Sequence, residues 1–327
     1  MRRRDIIGLL AGTMAWPFAA CAQQRAQAPR IAMLIASYTE ADKAGQVRIT
    51  AFLTVLQTLG MNPHRDIRID YHWGGGSIER VKAFAAQLVQ DAPDAIIAVG
   101  DLALAQLHQM KSASPIVFTQ VSEPVDSGFV ASLARPGGNI TGFQNFEPEM
   151  GGKWLGVLNE TVPGLKRVGV LFGSDAIPHT SFLRAAEKIA PSLGVSVVII
   201  DIGSDIEGPL AAFAQESDSG LIVFPHPRTI ANRRLISSLA IRHGLPAIYP
   251  YRYFANDGGL VAYGPDQLDQ WRGAAMYIQR ILKGEKPANL PVQAPTRYEL
   301  AINLRAARAL GLTVPPSLLT RADEVIE

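Results

Sequence analysis

The sequence predicts an α/β protein made of two Rossmann-like parallel-sheet lobes joined by a multi-strand hinge. Three observations lead there. Short continuous apolar runs recur, each followed by a polar or Pro/Gly turn and then by helical periodicity, the pattern of strands buried on both faces between crossover helices. This order occurs twice, with strand starts near residues 31, 67, 95 and 116 echoed near 168, 195, 221 and 247. The chain of 327 residues also exceeds the length at which a single core usually stops growing.

Ile31 to Ala36 is the first buried run, with Ser37-Tyr38 at its carboxyl end. A helix follows over roughly Ala41 to Leu59, with Val47, Phe52, Leu56 and Leu59 on one face and Gly60 ending it. Ile67, Ile69, Tyr71 and Trp73 alternate with Arg68, Asp70 and His72, a half-exposed strand. Gly74-Gly75-Gly76-Ser77 then leads into a helix whose apolar face is Ile78, Val81, Ala85, Leu88 and Val89. Ala95 to Val99 is a third buried strand, and Asp101 after Gly100 is a suitable N-cap for a helix to Met110.

The stretch from Pro115 to Phe146 organises the rest. Ile116 to Thr119 is a buried strand, and Gln120 to Pro124 is the polar turn at its carboxyl edge, where open α/β sheets bind ligands. Arg135-Pro136-Gly137-Gly138-Asn139 is too rich in turn formers for an element interior. It marks the crossing into a second lobe, with strands at Val168–Phe172, Val195–Asp201, Leu221–Phe224 and Ala247–Tyr249. Gly259 to Gly264 reads as a second crossing, Leu268 to Leu282 as a helix, Pro287 to Pro295 as a third crossing, and Glu299 to Leu310 as a closing helix. The expected lobes are residues 29–145 plus 265–290 and residues 146–264 plus 291–327.

Residues 1–22 read as an export signal. Arg2-Arg3-Arg4 precedes an apolar core from Ile6 to Phe18, and Ala20-Cys21-Ala22 offers a small-x-small cleavage site. Arg3-Arg4 also approximates a twin-arginine pattern, so Sec and Tat export both stay open. Phe18-Ala19-Ala20-Cys21 is an imperfect lipobox, and cleavage after Ala22 is preferred to lipidation of Cys21. The leader carries three Arg and one Asp, which equals the whole chain's net charge of +2. The remainder is near neutral and offers no nucleic-acid surface. Cys21 is the only cysteine, so the mature chain has no internal disulfide. The six His are scattered. H-E-x-x-H, G-x-S-x-G and a complete phosphate-binding loop are all missing, so neither metal nor cofactor is expected and no catalytic residue is assigned.

Candidate ligand-binding residues lie in the loops at strand carboxyl ends. In the first half they are Ser37, Tyr38, Asp101, Leu102, Gln120 and Ser122, beside Glu123; in the second they are Ser174, Asp175, His226, Tyr249 and Tyr251. Facing each other across a cleft, they can hold a small solute by hydrogen bonds, aromatic contact and helix N-termini. Each also has a plain structural reading: Asp101 and Asp175 as helix caps, Tyr249 and Tyr251 as packing, His226 as a loop residue between two prolines.

Ser132 to Phe143 (SLARPGGNITGF), Leu245 to Gly264 (LPAIYPYRYFANDGGLVAYG) and the long segment from Ile281 to Glu327 resemble the ABC transporter substrate-binding proteins of the tryptophan/tyrosine-type uptake family. The resemblance spans essentially the whole mature chain. It implies a type I periplasmic binding protein ("Venus flytrap"), no catalysis, and delivery of a small solute to a membrane permease driven by a separate ATPase. A monomer is expected because nothing in the sequence reads as a coiled coil or a dedicated dimer helix. Membrane contact would come through the permease or a lipid on Cys21. The chain departs from the family at Gly173 to Pro178, where Asn-Pro-x-x-Pro is common, and at Pro225 to Arg228, where Asp-Pro is common. The family therefore constrains the task better than the cargo. A sensory protein presenting its closed form to a membrane receptor is the alternative on the same scaffold.

Overall fold

A computed structural model describes residues 28–63, 65–173, 180–203 and 205–327. The leader with Cys21, and the candidate residues Ser174 and Asp175, lie outside the described residues. The first lobe begins with β1 (Arg30–Ile35), α1 (Lys43–Thr58), β2 (Arg68–Trp73), α2 (Ile78–Asp91), β3 (Ala95–Val99), α3 (Asp101–Gln109), β4 (Ile116–Val121) and β5 (Ile140–Gln144). These five strands form one parallel sheet in the order β2-β1-β3-β4-β5. β3, β4 and β5 are buried along their whole length, and edge strand β2 is half-exposed. That difference follows from their apolar and alternating sequences respectively.

The second lobe continues with α4 (Met150–Thr161), β6 (Arg167–Phe172), α5 (Thr180–Ile189), β7 (Ser196–Asp201), α6 (Glu207–Phe213), β8 (Ser219–Val223), α7 (Pro227–Ala231), α8 (Arg233–Arg242), β9 (Ala247–Tyr249), α9 (Arg252–Asn256) and β10 (Val261–Pro265). α10 (Gln267–Leu282) then returns to the first lobe, packing on α1 and on β4. The chain closes with β11 (Tyr298–Asn303), α11 (Leu304–Ala309), α12 (Pro316–Arg321) and β12 (Glu324–Ile326). The second sheet has seven strands, β12-β11-β10-β9-β8-β6-β7, parallel except where β10 meets β11.

Three local expectations change. Glu299 to Leu310 is not one helix: Tyr298–Asn303 is a strand, and Asn303 caps the short α11 through Oδ1 to the N–H of Arg305 and Ala306. Pairing with β10 on one side and β12 on the other overrides the helical periodicity of that segment. Gly259 to Gly264 is mostly strand rather than crossing, with Val261 and Ala262 paired to β9. The turn-rich stretch before residue 146 contains a fifth strand, β5.

The chain passes between the lobes after β5, after β10 and before β11. These passages are tied to one another. Gln144 N–H donates to the Gln293 carbonyl at 2.8 Å, Gln293 N–H to Gly142 at 3.0 Å and Asp266 N–H to Arg297 at 3.1 Å. Gly264 has to be glycine, because a Cβ there would lie 1.8 Å from the Pro250 carbonyl oxygen. The larger apolar core runs from the α1/α10 face of the first lobe into the second, where Phe146, Trp154, Phe182 and Phe224 meet edge to face. The remaining first-lobe core lies under α2 and α3.

Candidate ligand-binding site

The carboxyl ends of the two sheets face each other. β1 hands the chain to Ser37 and Tyr38, β3 to Gly100 and Asp101, and β4 ends with Gln120 and Val121 ahead of Ser122. From the other lobe, β8 delivers Pro225 and His226, and β9 delivers Pro250 and Tyr251. Ser37, Asp101, Gln120, His226 and Tyr251 surround one small cavity, together with Asn145 at the end of β5.

Gln120 adopts a left-handed backbone (φ +58°) where the register between β4 and β5 shifts. Such a conformation is costly for a residue with a Cβ and tends to mark functional positions. Its amide Nε2 donates to the Tyr38 hydroxyl at 3.1 Å, and that hydroxyl lies 3.2 Å from the hydroxyl of Tyr253 in the second lobe. Asn145 Nδ2 donates to the Tyr251 hydroxyl at 2.6 Å, and Gln270 of α10 reaches the Asn145 Oδ1. A buried polar network thus runs from one lobe to the other beside the hinge. Burial holds the Tyr251 and Tyr253 hydroxyls well above the ordinary phenol range, so they stay protonated and available as donors.

Asp101 does not cap α3. Gly100 (φ +93°) occupies the cap position without a side-chain bond, and the Asp101 Oδ1 instead accepts from the Ser122 N–H at 3.0 Å. Burial pushes the Asp101 carboxyl up to about 6. Glu123, 8% exposed, is pushed up to about 7 by burial first and then by the charges of Asp126 and Asp101. Its Oε1 and the Ser122 Oγ are buried without a hydrogen-bond partner. Carboxylates in this state suit a cationic or hydrogen-bonding guest that supplies the missing donors.

Leu102 and Tyr249 lie apart from the cavity. Leu102 packs on the apolar cluster under α2 and α3. Tyr249 is 1% exposed inside β9, stacked on Phe254 at 5.1 Å, and burial raises its hydroxyl to about 12. His226 both lines the cavity and caps α7, its Nδ1 accepting from the Arg228 N–H at 3.2 Å. Sequence reasoning did not find Asn145, Tyr253 or Gln270. A period-two reading of Ile140–Gln144 would have placed Asn145 at a sheet edge; nothing local marks the other two.

The lobes touch beyond the cavity. Arg233 at the start of α8 forms two bonds to the carboxylate of Asp42, at 2.6 and 3.1 Å, and its Nε meets Asp257 at 2.6 Å. At the lip, a Cβ on Gly76 would come within 3.0 Å of the Ala231 Cβ. The enclosed volume is about 10 Å³, room for about one water. Small-molecule sites measure roughly 300–1,000 Å³, so in this arrangement of the lobes the cavity is too small for such a solute. Among the described residues, no group of three His, Cys, Asp or Glu is placed to hold a metal, and no helix is long and apolar enough to cross a membrane.

Comparison with known proteins adds the family. Residues 40–326 match the family described as ABC transporter substrate binding protein. The chain belongs to it. This is a family of solute-binding proteins, not of enzymes. A tyrosine-binding protein of Clostridioides difficile (strain R20291) is 22% identical over 263 residues, covering 80% of this chain and 75% of that protein. A conserved domain protein of Vibrio cholerae superposes with a TM-score of 0.84 at 23% identity, covering 91% of this chain and 99% of the other. An ABC domain from Streptococcus pneumonia in complex with L-Trp gives 0.83 at 22% identity, with the same coverage. The fold is that of type I periplasmic binding proteins.

Proposed function

We propose that this protein is the exported, periplasmic solute-binding component of an ABC importer. In this reading it closes its two lobes on an amino acid or a close relative and delivers it to a membrane permease powered by a separate ATPase. The observation that carries the reading is the polar cavity at the facing sheet edges, to which both lobes contribute. Asp101 in the cavity, with Glu123 beyond Ser122, offers a carboxylate to an ammonium group. Tyr251 lines the same cavity and, with Tyr253 stacked on it and Tyr38 against Tyr253, offers aromatic surface to a side chain. The tyrosine- and tryptophan-binding relatives support an aromatic amino acid as the first solute to try. Closure follows population-shift logic: the closed form is favoured by contacts a solute makes to both lobes at once.

The test is isothermal calorimetry and thermal unfolding of protein refolded after denaturant stripping, against tyrosine, tryptophan, the other amino acids and small organic acids. The reading expects at least one amino acid to bind and to raise Tm. If none does, with the refolded protein native by circular dichroism, the reading is wrong.

A further inference from the structure

A second opening lies beside the cleft, between α1 of the first lobe and α9 with the start of α10. It is a groove of about 460 Å³, within the size range of small-molecule sites. Its floor holds Arg48, 6% exposed, whose guanidinium lies 4.6 Å from the Tyr253 ring centre and 5.5 Å from that of Tyr38.

Arg48 has no carboxylate partner among the described residues. Its Nε and Nη2 both donate to the Gln267 Oε1, and its Nη1 donates to the Ala44 carbonyl. A guanidinium carries five N–H groups, so two are left over. Gln267, 4% exposed, adds to the surplus, because its Nε2 is buried without an acceptor. Lys43 lines the same groove, also without a carboxylate partner among the described residues.

The groove's own acids do not fill this need. Asp257 is taken by Arg233 and Arg234, Asp266 accepts from the Leu268 N–H, and Glu299 faces Arg252. Contact with two tyrosine rings offsets part of the cost of burying the Arg48 charge. It supplies no acceptor for the spare N–H groups. A planar cluster of surplus donors around a buried guanidinium matches the two oxygens of a carboxylate.

We propose that this groove binds a carboxylate, held by the Arg48 guanidinium and the Gln267 amide. Two sources share that chemistry. Tyr251 lines both the groove and the cleft cavity, so the carboxylate can belong to the transported solute, an arm that rests on the function proposed above. It can equally belong to a separate small carboxylic acid. Either way the site joins Arg48 of one lobe to Tyr253 of the other, so its occupation favours the closed form.

Calorimetry with L-tyrosine and L-tyrosinamide, and thermal unfolding with sodium benzoate, on wild type and Arg48→Met separate the cases. If the solute supplies the carboxylate, wild type prefers tyrosine over its amide by about 10- to 100-fold, and Arg48→Met erases that preference. If a separate acid does, benzoate raises the Tm of wild type but not of Arg48→Met, and the tyrosine-to-amide ratio stays the same in both. The proposal is overturned if the ratio and the benzoate response are both unchanged by the substitution. Failure of tyrosine and tyrosinamide alike to bind would count against the amino-acid reading, while the benzoate arm still decides the groove. Should Arg48→Met not fold, Gln267→Met, which keeps the cation, carries the same test with an expected loss of about three- to tenfold.

Discussion

Two carboxylate clusters lie between the lobes, and they are held in opposite ways. Asp42 and Asp257 share the buried guanidinium of Arg233, and Arg234 also meets Asp257, so two cations balance two carboxylates and the cluster fastens first lobe to second. Asp101 and Glu123 sit at the sheet edge, and among the described residues neither makes an ion pair. Both are pushed upward by burial, and the Glu123 Oε1 lacks any donor. The same chemistry thus takes two forms: one cluster is paired with cations across the lobes, while in the other Asp101 lines the cleft cavity and Glu123 keeps a buried carboxylate oxygen without a donor.

The largest expected effect comes from breaking the paired cluster. Arg233→Met takes the cation from half-buried Asp42 and leaves Asp257 with Arg234 alone, and is expected to cost about 3 kcal/mol of stability, read by denaturant unfolding. A loss below about 1 kcal/mol would mean that the pairs are merely incidental surface contacts. Asp42→Asn is milder, because asparagine still caps α1 as Asp42 does through the Ala44 N–H. Removing that interlobe charge pair is expected to weaken solute binding about tenfold, chiefly by loosening the closed form. Unchanged affinity would separate the fastening from closure.

Titration sharpens the comparison on the other side. The Glu123 carboxyl is raised in the folded protein, so its contribution to stability is full at pH values below the ordinary carboxyl range. That contribution is lost as the pH rises through about 7. Glu123→Gln is therefore expected to flatten the fall in Tm between pH 5 and 8, while having little effect at the acid end. Binding of an ammonium-bearing solute should pull the same carboxyl back down and release a proton near pH 6.5–7. Calorimetry in buffers of different ionisation enthalpy reads that release directly, and proton uptake instead would place the cation elsewhere. The smallest effect is expected from Tyr251→Phe, which leaves Asn145 without its hydroxyl acceptor and should cost about 1 kcal/mol.

Much of this was legible in the chain itself. Runs such as Ile31 to Ala36 and Ala95 to Val99 can only be strands covered on both faces, and two such series require two sheets. The direction of a parallel sheet then puts Ser37, Asp101, Gln120, His226 and Tyr251 at the facing edges, because each lies at or just beyond the carboxyl end of its strand. What stayed hidden depends on packing between distant segments. Arg48 reads as an ordinary surface residue of α1 until α10 and Tyr253 enclose it, and Asp42 reads as a simple cap until α8 brings Arg233 to it. The strand at Tyr298–Asn303 was hidden by its own periodicity, which a neighbouring ladder overrides.

In the proposed function the lobes separate to admit a solute and close over it. Small-angle X-ray scattering of stripped protein, with and without a saturating amino acid shown to bind by calorimetry, tests this most directly. A smaller radius of gyration in the bound sample, with a profile matching the closed arrangement described above, is the expected result. Identical profiles with solute demonstrably bound would contradict it.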